Sequence, residues 1–310
     1  MSDFCVAGVD LGGTKIYTVL ASSRGEVLAE RKIPTEAEKG LQHVIARILE
    51  SVEQVKRDAP PSFRLRALAL GAPGPLDSSR GIIHFAPNLN WHNVPIRAIL
   101  EEKTGFRVLL DNDANLAALG EHLYGAGRGA DNMVFITIST GVGGGLILDG
   151  KLYRGSAGGA GEIGHMTIDW QGPQCSCGSR GCLEALIAIP RLLAKYQQST
   201  GKALTFAQFK EKVAGGDEKA LEIVDFAGGV LGVGLVNVCN LLNPQLIVVG
   251  GELSLLGELL RQKLCQVISL NGLPGTKDVQ VQLAGPHSGG ELVGAASLVV
   301  EKMFALPVMS

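Results

Sequence analysis

Short apolar runs separated by glycine turns open the chain. Cys5-Val-Ala-Gly-Val-Asp10 ends in a carboxylate, Lys15 to Ala21 is a second run and Glu26 to Ile33 a third, with Leu11 to Thr14 and Ser23 to Gly25 between them. Three such runs predict a β-meander. Leu41, Val44, Ile45, Ile48, Val52 and Val55 then recur at helical spacing, which predicts a helix from about Glu38 to Arg57. Leu65 to Gly71 reads as a buried strand, followed by a helix near Pro95 to Thr104 and a strand near Arg107 to Leu110. The same grammar returns after residue 130. Met133 to Ser139, Gly145 to Leu148 and Lys151 to Arg154 read as strands, with a glycine turn from Thr140 to Gly145 and an Asp149-Gly150 hairpin turn. A long helix (about Glu218 to Leu242), a strand (Gln245 to Val249), the turn Gly250-Gly251, a further helix and strand, and a final helix near Glu291 to Phe304 complete the pattern. The fold class is therefore α/β with two meanders, each carrying a polar glycine turn at its first corner. The boundary is expected near Asp111. That gives a small N-terminal α/β unit over 1–111, to which the last helix (about 291–310) returns, and a larger one over 112–290.

The glycine turns carry the first candidate chemistry. Glycine is abundant, 42 residues in 310, without a collagen-like period. In Asp10-Leu-Gly12-Gly13-Thr14-Lys15, backbone N–H groups can approach phosphate oxygens with no Cβ in the way, and Thr14 adds a hydroxyl. Asp10, at a strand end, is placed to hold magnesium through water. The order Thr-Lys and the predicted hairpin distinguish the segment from a Walker A loop. A plain β-turn is the competing explanation. Thr140-Gly141-Val142-Gly143-Gly144-Gly145 is the second such corner, with a bulged strand as its alternative. Gly250-Gly251 is a third, equally readable as a strand-to-helix turn.

Asn112-Asp113 follows an apolar strand and precedes a helical stretch with Asn115 and Glu121. A carboxylate there suits a general base that accepts an alcohol proton during phosphoryl transfer. A helix N-cap at Asp113 is the structural alternative. Asn88 lies in the amide-dense Pro87-Asn-Leu-Asn-Trp91, which suits polyol recognition or an Asx turn.

His165, Cys175, Cys177 and Cys182 form the most specific local signal. One imidazole and three thiolates complete a tetrahedral set, so a bound zinc ion would be structural, folding a glycine-rich loop with little core of its own. Glu162 and Glu184 flank the set and can accept hydrogen bonds from sugar hydroxyls. His165 can offer one ring nitrogen to zinc and the other to a substrate.

Composition narrows the partners. Twenty-eight Lys and Arg against 30 Asp and Glu leave a net charge of −2, with no basic excess for nucleic acid. No basic leader or run of about 18 uninterrupted apolar residues is present, and the clustered cysteines fit a metal site better than disulfides. A cytoplasmic protein without membrane partners is the expectation.

Taken together, Asp10-Leu-Gly-Gly-Thr-Lys15, Asn112-Asp-Ala-Asn115, Thr140-Gly-Val-Gly-Gly-Gly145, Gly161-Glu-Ile-Gly-His165 and Cys175-Ser-Cys-Gly-Ser-Arg-Gly-Cys-Leu-Glu184 resemble the ROK family of repressors, open reading frames and kinases. The resemblance spans most of the chain. It implies a two-lobed actin/hexokinase-like (ribonuclease H-like) ATPase fold with a zinc-stabilised loop. It implies ATP-dependent phosphorylation of a hexose, glucose first, with N-acetylmannosamine or N-acetylglucosamine as alternative substrates and a non-catalytic sugar sensor as a distant one. Asp113 would be the catalytic base. Asn88, Asn112, Asp113, Glu162, His165 and Glu184 would bind the sugar. Asp10, Gly12, Gly13, Thr14, Lys15, Thr140, Gly141, Gly143, Gly144, Gly250 and Gly251 would bind MgATP. Glu252 stands where the family often has a third glycine. The family's repressors carry an N-terminal DNA-binding domain, for which a first motif at Asp10 leaves no room. A homodimer or homotetramer is also implied.

Overall fold

The computed structural model of the chain describes residues 4–22, 26–156 and 158–285. The expected Ser23 to Gly25 turn and the final helix near 291–310 lie outside the described residues. The chain forms two compact units. The first runs to Arg128 and takes in Arg154–Ala160; the second comprises Gly129–Tyr153 and 161–285.

The first unit is built on a five-stranded sheet. The meander is β1 (Phe4–Leu11), β2 (Lys15–Ser22) and β3 (Val27–Pro34). Helix α1 (Leu41–Asp58) follows and buries Val44, Ile45, Ile48, Val52 and Val55, the stripe read from spacing. Each buried aliphatic side chain of this kind contributes roughly 1.5–3 kcal/mol. A 3₁₀ turn at Ala37–Lys39 takes up the start of the expected helix. Strand β4 (Arg64–Ala72) leads into a small sheet of β5 (Leu76–Asp77), β6 (Ile82–Ala86) and β7 (Trp91–Val94). Then come α2 (Ile96–Thr104), β8 (Arg107–Asn112) and α3 (Asp113–Tyr124). The main sheet has the order β3-β2-β1-β4-β8, antiparallel through the meander and parallel from β1 to β8.

The second unit repeats that order. Its strands are β9 (Met133–Ile138), β10 (Val142–Leu148) and β11 (Lys151–Tyr153). Helices α4 (Leu183–Ile187), α5 (Ile189–Thr200), α6 (Phe206–Ala214) and α7 (Glu218–Leu242) precede β12 (Leu246–Gly250), α8 (Glu258–Asn271) and β13 (Gln280–Leu283). The sheet order β11-β10-β9-β12-β13 is again an antiparallel meander joined to two parallel strands. Helix α7 is long and apolar enough by composition to cross a membrane. Ala220, Ile223, Ala227, Leu231, Leu235 and Cys239 are nonetheless buried in the protein, as in a core helix.

Two differences from the sequence reading have clear causes. The units part after Arg128, not near Asp111, because α3 packs on its own sheet: Gly71 of β4 approaches Leu116 so closely that a Cβ there would stand 2.9 Å from its Cδ1. Strand β10 begins at Val142, not Gly145, so Gly143, Gly144 and Gly145 are strand residues. Another segment crosses this strand closely. A Cβ on Gly144 would lie 2.6 Å from the Gly161 carbonyl oxygen and 2.8 Å from Ile163 Cδ1.

Candidate functional site

In the first unit, the parallel strands bring the polar residues to one sheet end. Asp10 pairs in register with Gly71, and Gly71 with Asp111. The C-terminal ends of β1, β4 and β8 therefore lie level, which is where ligands bind in open α/β sheets. The first turn leaves β1 there. Gly12 N donates to the Lys15 carbonyl (3.0 Å), Thr35 N to the Thr14 carbonyl (3.0 Å), and the buried Thr35 hydroxyl to the Gly12 carbonyl (2.7 Å). Thr14 and Lys15 are exposed on this braced turn. Gly13 abuts the amide-rich segment: a Cβ on it would stand 2.7 Å from Asn88 Cβ. Asn88 is exposed in a 3₁₀ turn, Pro87–Leu89, anchored by buried Leu89. The first turn and Asn88 are thus direct neighbours.

Asn112, not Asp113, caps α3. Its Oδ1 accepts from Ala114 N (2.9 Å), while Asp113 is the first helical residue and its Oδ1 also accepts from Ala114 N (2.7 Å). The helix begins one residue earlier than a cap at Asp113 would require. That leaves Asp113 half-buried at the sheet end with its carboxylate in the first turn of α3, where the helix dipole favours negative charge. Glu121 is internal instead: it is 1% exposed and its Oε2 accepts from Ala126 N (2.9 Å).

In the second unit the equivalent line across the sheet is Gly143, Thr137 and Gly250. The tight turn itself is short, with Ser139 N donating to the Gly141 carbonyl (2.9 Å) and Thr140 exposed at its tip. Gly250 ends β12 and Gly251 follows at the start of a 3₁₀ turn over Glu252–Leu256. Glu252 N donates to Ser139 Oγ (3.1 Å), so the second and third glycine corners are joined.

The metal-ligand set comes together as the spacing predicts. One ligand atom from each of His165, Cys175, Cys177 and Cys182 lies within 4.8 Å of all the others. Cys177 Sγ is 3.7 Å from Cys182 Sγ, and Cys175 Sγ is 3.8 Å from His165 Nδ1. Tetrahedral zinc with ordinary bond lengths requires sulfur–sulfur and sulfur–nitrogen edges of roughly 3.8 and 3.6 Å, so the set fits that ion. Hydrogen bonding from the Ser179 backbone, followed by the neighbouring thiols, draws Cys177 down to about 7. Burial, followed by the neighbouring sulfurs, pushes Cys182 up to about 12. The loop's own apolar support is small: Cys175, Cys182 and Ala185 form its core cluster. A cation held by the set would supply what the packing does not.

The flanking carboxylates divide their work. His165 turns Nδ1 toward the sulfurs, and its Nε2 is 4.0 Å from Glu162 Oε2, on an exposed carboxylate. Glu184 Oε2 accepts from Val142 N (3.0 Å) and Oε1 from the Ser176 hydroxyl (3.2 Å). Glu184 therefore links the cysteine loop to the second glycine corner. Two features are absent from the sequence reading, the brace at Thr35 and a buried pair between Asp111 and Arg154 (2.7 Å). Neither has a local motif, since the partners come from distant segments.

Known proteins resemble this chain over most of its length. The model of the ROK family matches residues 6–302. A glucokinase from Thermotoga maritima is 36% identical over 315 residues, covering 96% of this chain and 97% of that protein. A xylose repressor from Caldicellulosiruptor bescii is 28% identical over 317 residues, covering 97% of this chain and 79% of the repressor. Among solved structures, a ROK family glucokinase from Streptomyces griseus in complex with glucose and AMPPNP superposes with a TM-score of 0.84 at 31% identity, covering 95% of this chain and 98% of that one.

Proposed function

The chain belongs to the ROK family, with its mixed α/β, actin/hexokinase-like fold, and on that premise we propose that it phosphorylates a hexose at the expense of ATP, acting as a glucokinase. The observation that carries this reading is similarity over nearly the whole length of both chains to a kinase crystallised with glucose and AMPPNP. The local geometry supports it residue by residue.

Asp113 is the general base. It accepts the proton of the sugar C6 hydroxyl as the oxygen attacks phosphorus. Its place in the first turn of α3 favours the anionic carboxylate and aims it from a capped helix start. Asn88 and Asn112 offer amide groups suited to sugar hydroxyls, and Glu162, His165 and Glu184 offer acceptors suited to the same chemistry. Both oxygens of Glu184 already accept protein hydrogen bonds, and a carboxylate keeps lone pairs for further donors.

The braced turn at Gly12, Gly13, Thr14 and Lys15 donates to the phosphates, and the Lys15 ammonium offsets their charge. Thr140, Gly141, Gly143 and Gly144 make the second phosphate corner, and Gly250-Gly251 the adenosine side. Magnesium, held by Asp10 through water, would neutralise charge on the nucleotide's phosphates. Zinc on His165, Cys175, Cys177 and Cys182 would fix the loop that carries His165 and Glu184. On this reading the enzyme is cytoplasmic and a homodimer or homotetramer, and light scattering tests the oligomeric state directly.

The decisive assay follows ADP release from MgATP with glucose, mannose, fructose, N-acetylglucosamine and N-acetylmannosamine, beside Asp113→Asn. Turnover on glucose that is abolished in the variant is expected. Preference for an acetamido sugar keeps the mechanism and changes the substrate. No turnover on any sugar by zinc-loaded protein overturns the kinase reading in favour of a sugar-sensing role.

A further inference from the structure

Asp111 is 1% exposed, and a buried carboxylate is costly unless it is paired and hydrogen-bonded. Here every partner has a consequence. Asp111 Oδ1 accepts from the Asn112 backbone N–H (2.9 Å) and from Asn115 Nδ2 (2.9 Å). Asp111 Oδ2 accepts from Arg154 Nε (2.7 Å). The carboxylate thereby clamps the residue before Asp113 and the residue two after it. Asp113 sits in the middle of the clamped stretch, at the point where β8 becomes α3.

Arg154 reaches this clamp from a distant part of the chain. It is the first residue of Arg154–Ala160, the segment that the second unit's sequence lends to the first. Ala160 N closes the segment by donating to the Arg154 carbonyl (3.1 Å). The Arg154 side chain is three-quarters covered, and its Nη2 is buried without a hydrogen-bond partner, as is Asn115 Oδ1. Such a buried investment in charge is not needed to end a strand.

We propose that Arg154 is a positioning residue for phosphoryl transfer. By compensating the buried Asp111 charge, it lets that carboxylate hold Asn112 and Asn115, and so fixes the pose of Asp113. The proposal rests on the kinase reading, with Asp113 as base. Arg154 touches no reacting atom; it acts through Asp111. Without it, Asp111 keeps an uncompensated charge in a dry site, and the β8–α3 junction moves to relieve it.

Arg154→Met, Arg154→Lys, Asp111→Asn and Arg154→Met/Asp111→Asn test this in the full-length, zinc-loaded enzyme, with Arg31→Met as control. Arg31 pairs with Asp58 on the surface, both side chains nearly half exposed. Kinetics are measured well below each variant's melting temperature. Arg154→Met is expected to lose at least about tenfold in kcat with KM for ATP nearly unchanged and a smaller change in KM for sugar, because the displaced base costs rate most while Asn112 shifts with it. Arg154→Lys, which keeps the charge, should recover part of the loss. The double variant should be faster than Arg154→Met, because the uncompensated charge is gone. Arg31→Met should match the wild type. If Arg154→Met lowers only the melting temperature and leaves kcat intact, the positioning role is wrong. If it fails to fold, Arg154→Lys and the double variant decide: wild-type kcat in the former, with the double variant no slower than Asp111→Asn and Asp111→Asn itself at wild-type rate, overturns the proposal. A wild-type enzyme inactive on every sugar refutes the kinase reading itself, a result distinguishable from any of these.

Discussion

Substituting Gly13 by alanine tests whether the first glycine turn and the sugar-side amide act as one unit. The backbone at Gly13 is not in the left-handed region, so alanine brings no conformational strain, only a methyl group. That methyl would stand 2.7 Å from Asn88 Cβ and 3.2 Å from the Asn88 carbonyl oxygen. Carbon atoms are comfortable at about 3.5–4.0 Å, so one side must retreat by roughly 1 Å. Neither side yields cheaply. The turn is held by Gly12 N on the Lys15 carbonyl and by two hydrogen bonds from Thr35, which is fully buried. Asn88 is held by the Pro87–Leu89 turn, with Leu89 and Trp91 each 1% exposed in the core. Overpacking of this kind costs about 1–3 kcal/mol, which an ordinary domain survives. Function is more sensitive. A misplacement of about 1 Å at a reacting centre costs on the order of 10²-fold, so kcat/KM for the sugar should fall by about that factor. Gly229→Ala is the matched control, since its Cβ would meet nothing within 4 Å and alanine within α7 should add about 0.5–1 kcal/mol of stability. Steady-state ADP release and thermal denaturation on both variants decide the matter. A folded Gly13→Ala enzyme with wild-type kcat/KM would show that the turn and Asn88 do not need to fit each other.

Three further perturbations have expected outcomes. Purified protein should carry about one zinc per chain by elemental analysis, and Cys182→Ser should remove it together with a large drop in melting temperature, because the apolar cluster around the ligands, Cys175, Cys182 and Ala185, is small; unchanged stability without metal would refute a structural site. Glu184→Gln exchanges a charged acceptor for a neutral one at Val142 N and Ser176 Oγ, so the sugar KM and the ATP KM should both rise, about three- to tenfold each at a net 1 kcal/mol or so per weakened bond; an effect on one substrate alone would break the link between loop and turn. Burial raises the thiols of Cys5 and Cys239 from 9.0 to about 11 each, so these groups stay protonated in the folded state after they ionise in the unfolded one. Their contribution, about 2–3 kcal/mol apiece, is present below pH 9 and lost as pH rises through about 11, so Cys5→Ala/Cys239→Ala should flatten the alkaline limb of a denaturation profile between those values.

How much of the molecule is legible in its sequence depends on how local each signal is. The meanders, α1 and α7 follow from periodicity within single segments, and α7 occupies the expected Glu218–Leu242. The cysteine loop is readable because three of its ligands fall within eight residues, and tetrahedral chemistry leaves few other uses for them. The β5-β6-β7 sheet is not readable, since strands of two, five and four residues are too short to establish a period. Helices α4 to α6 are short and closely spaced, and the clearest local mark among them is the capping box of Thr205 and Gln208, a Thr and a Gln that are unremarked without the helix they cap. The pair of Asp111 and Arg154 is separated by 43 positions and has no motif at either end. Gly143 to Gly145 mislead for a physical reason: glycine is a turn signal in most contexts, whereas here it serves a strand crossed closely by Gly161 and Ile163.

The repeated sheet order explains why the two units nonetheless differ in chemistry. Each has a level line across its meander and first parallel strand: Asp10 and Gly71, continued to Asp111, in one; Gly143, Thr137 and Gly250 in the other. The backbone scaffold is the same, and the side chains on it are not. The first unit's line carries Asp10, suited to a cation, and Asp111, whose buried carboxylate is committed to Arg154, Asn112 and Asn115, with Asp113 just beyond, suited to an alcohol proton. The second carries glycines and a hydroxyl, suited to close approach by an uncharged or anionic group through backbone N–H donors. A duplicated fold alone would therefore predict two equivalent sites, and the residues argue against that: acid–base work falls to the first unit, because the second offers no carboxylate on its line. The proposal of Asp113 as base draws on this asymmetry independently of sequence similarity, and it is the reason that Asp113→Asn, rather than any change in the second unit's glycine corner, should abolish turnover while leaving nucleotide binding in place.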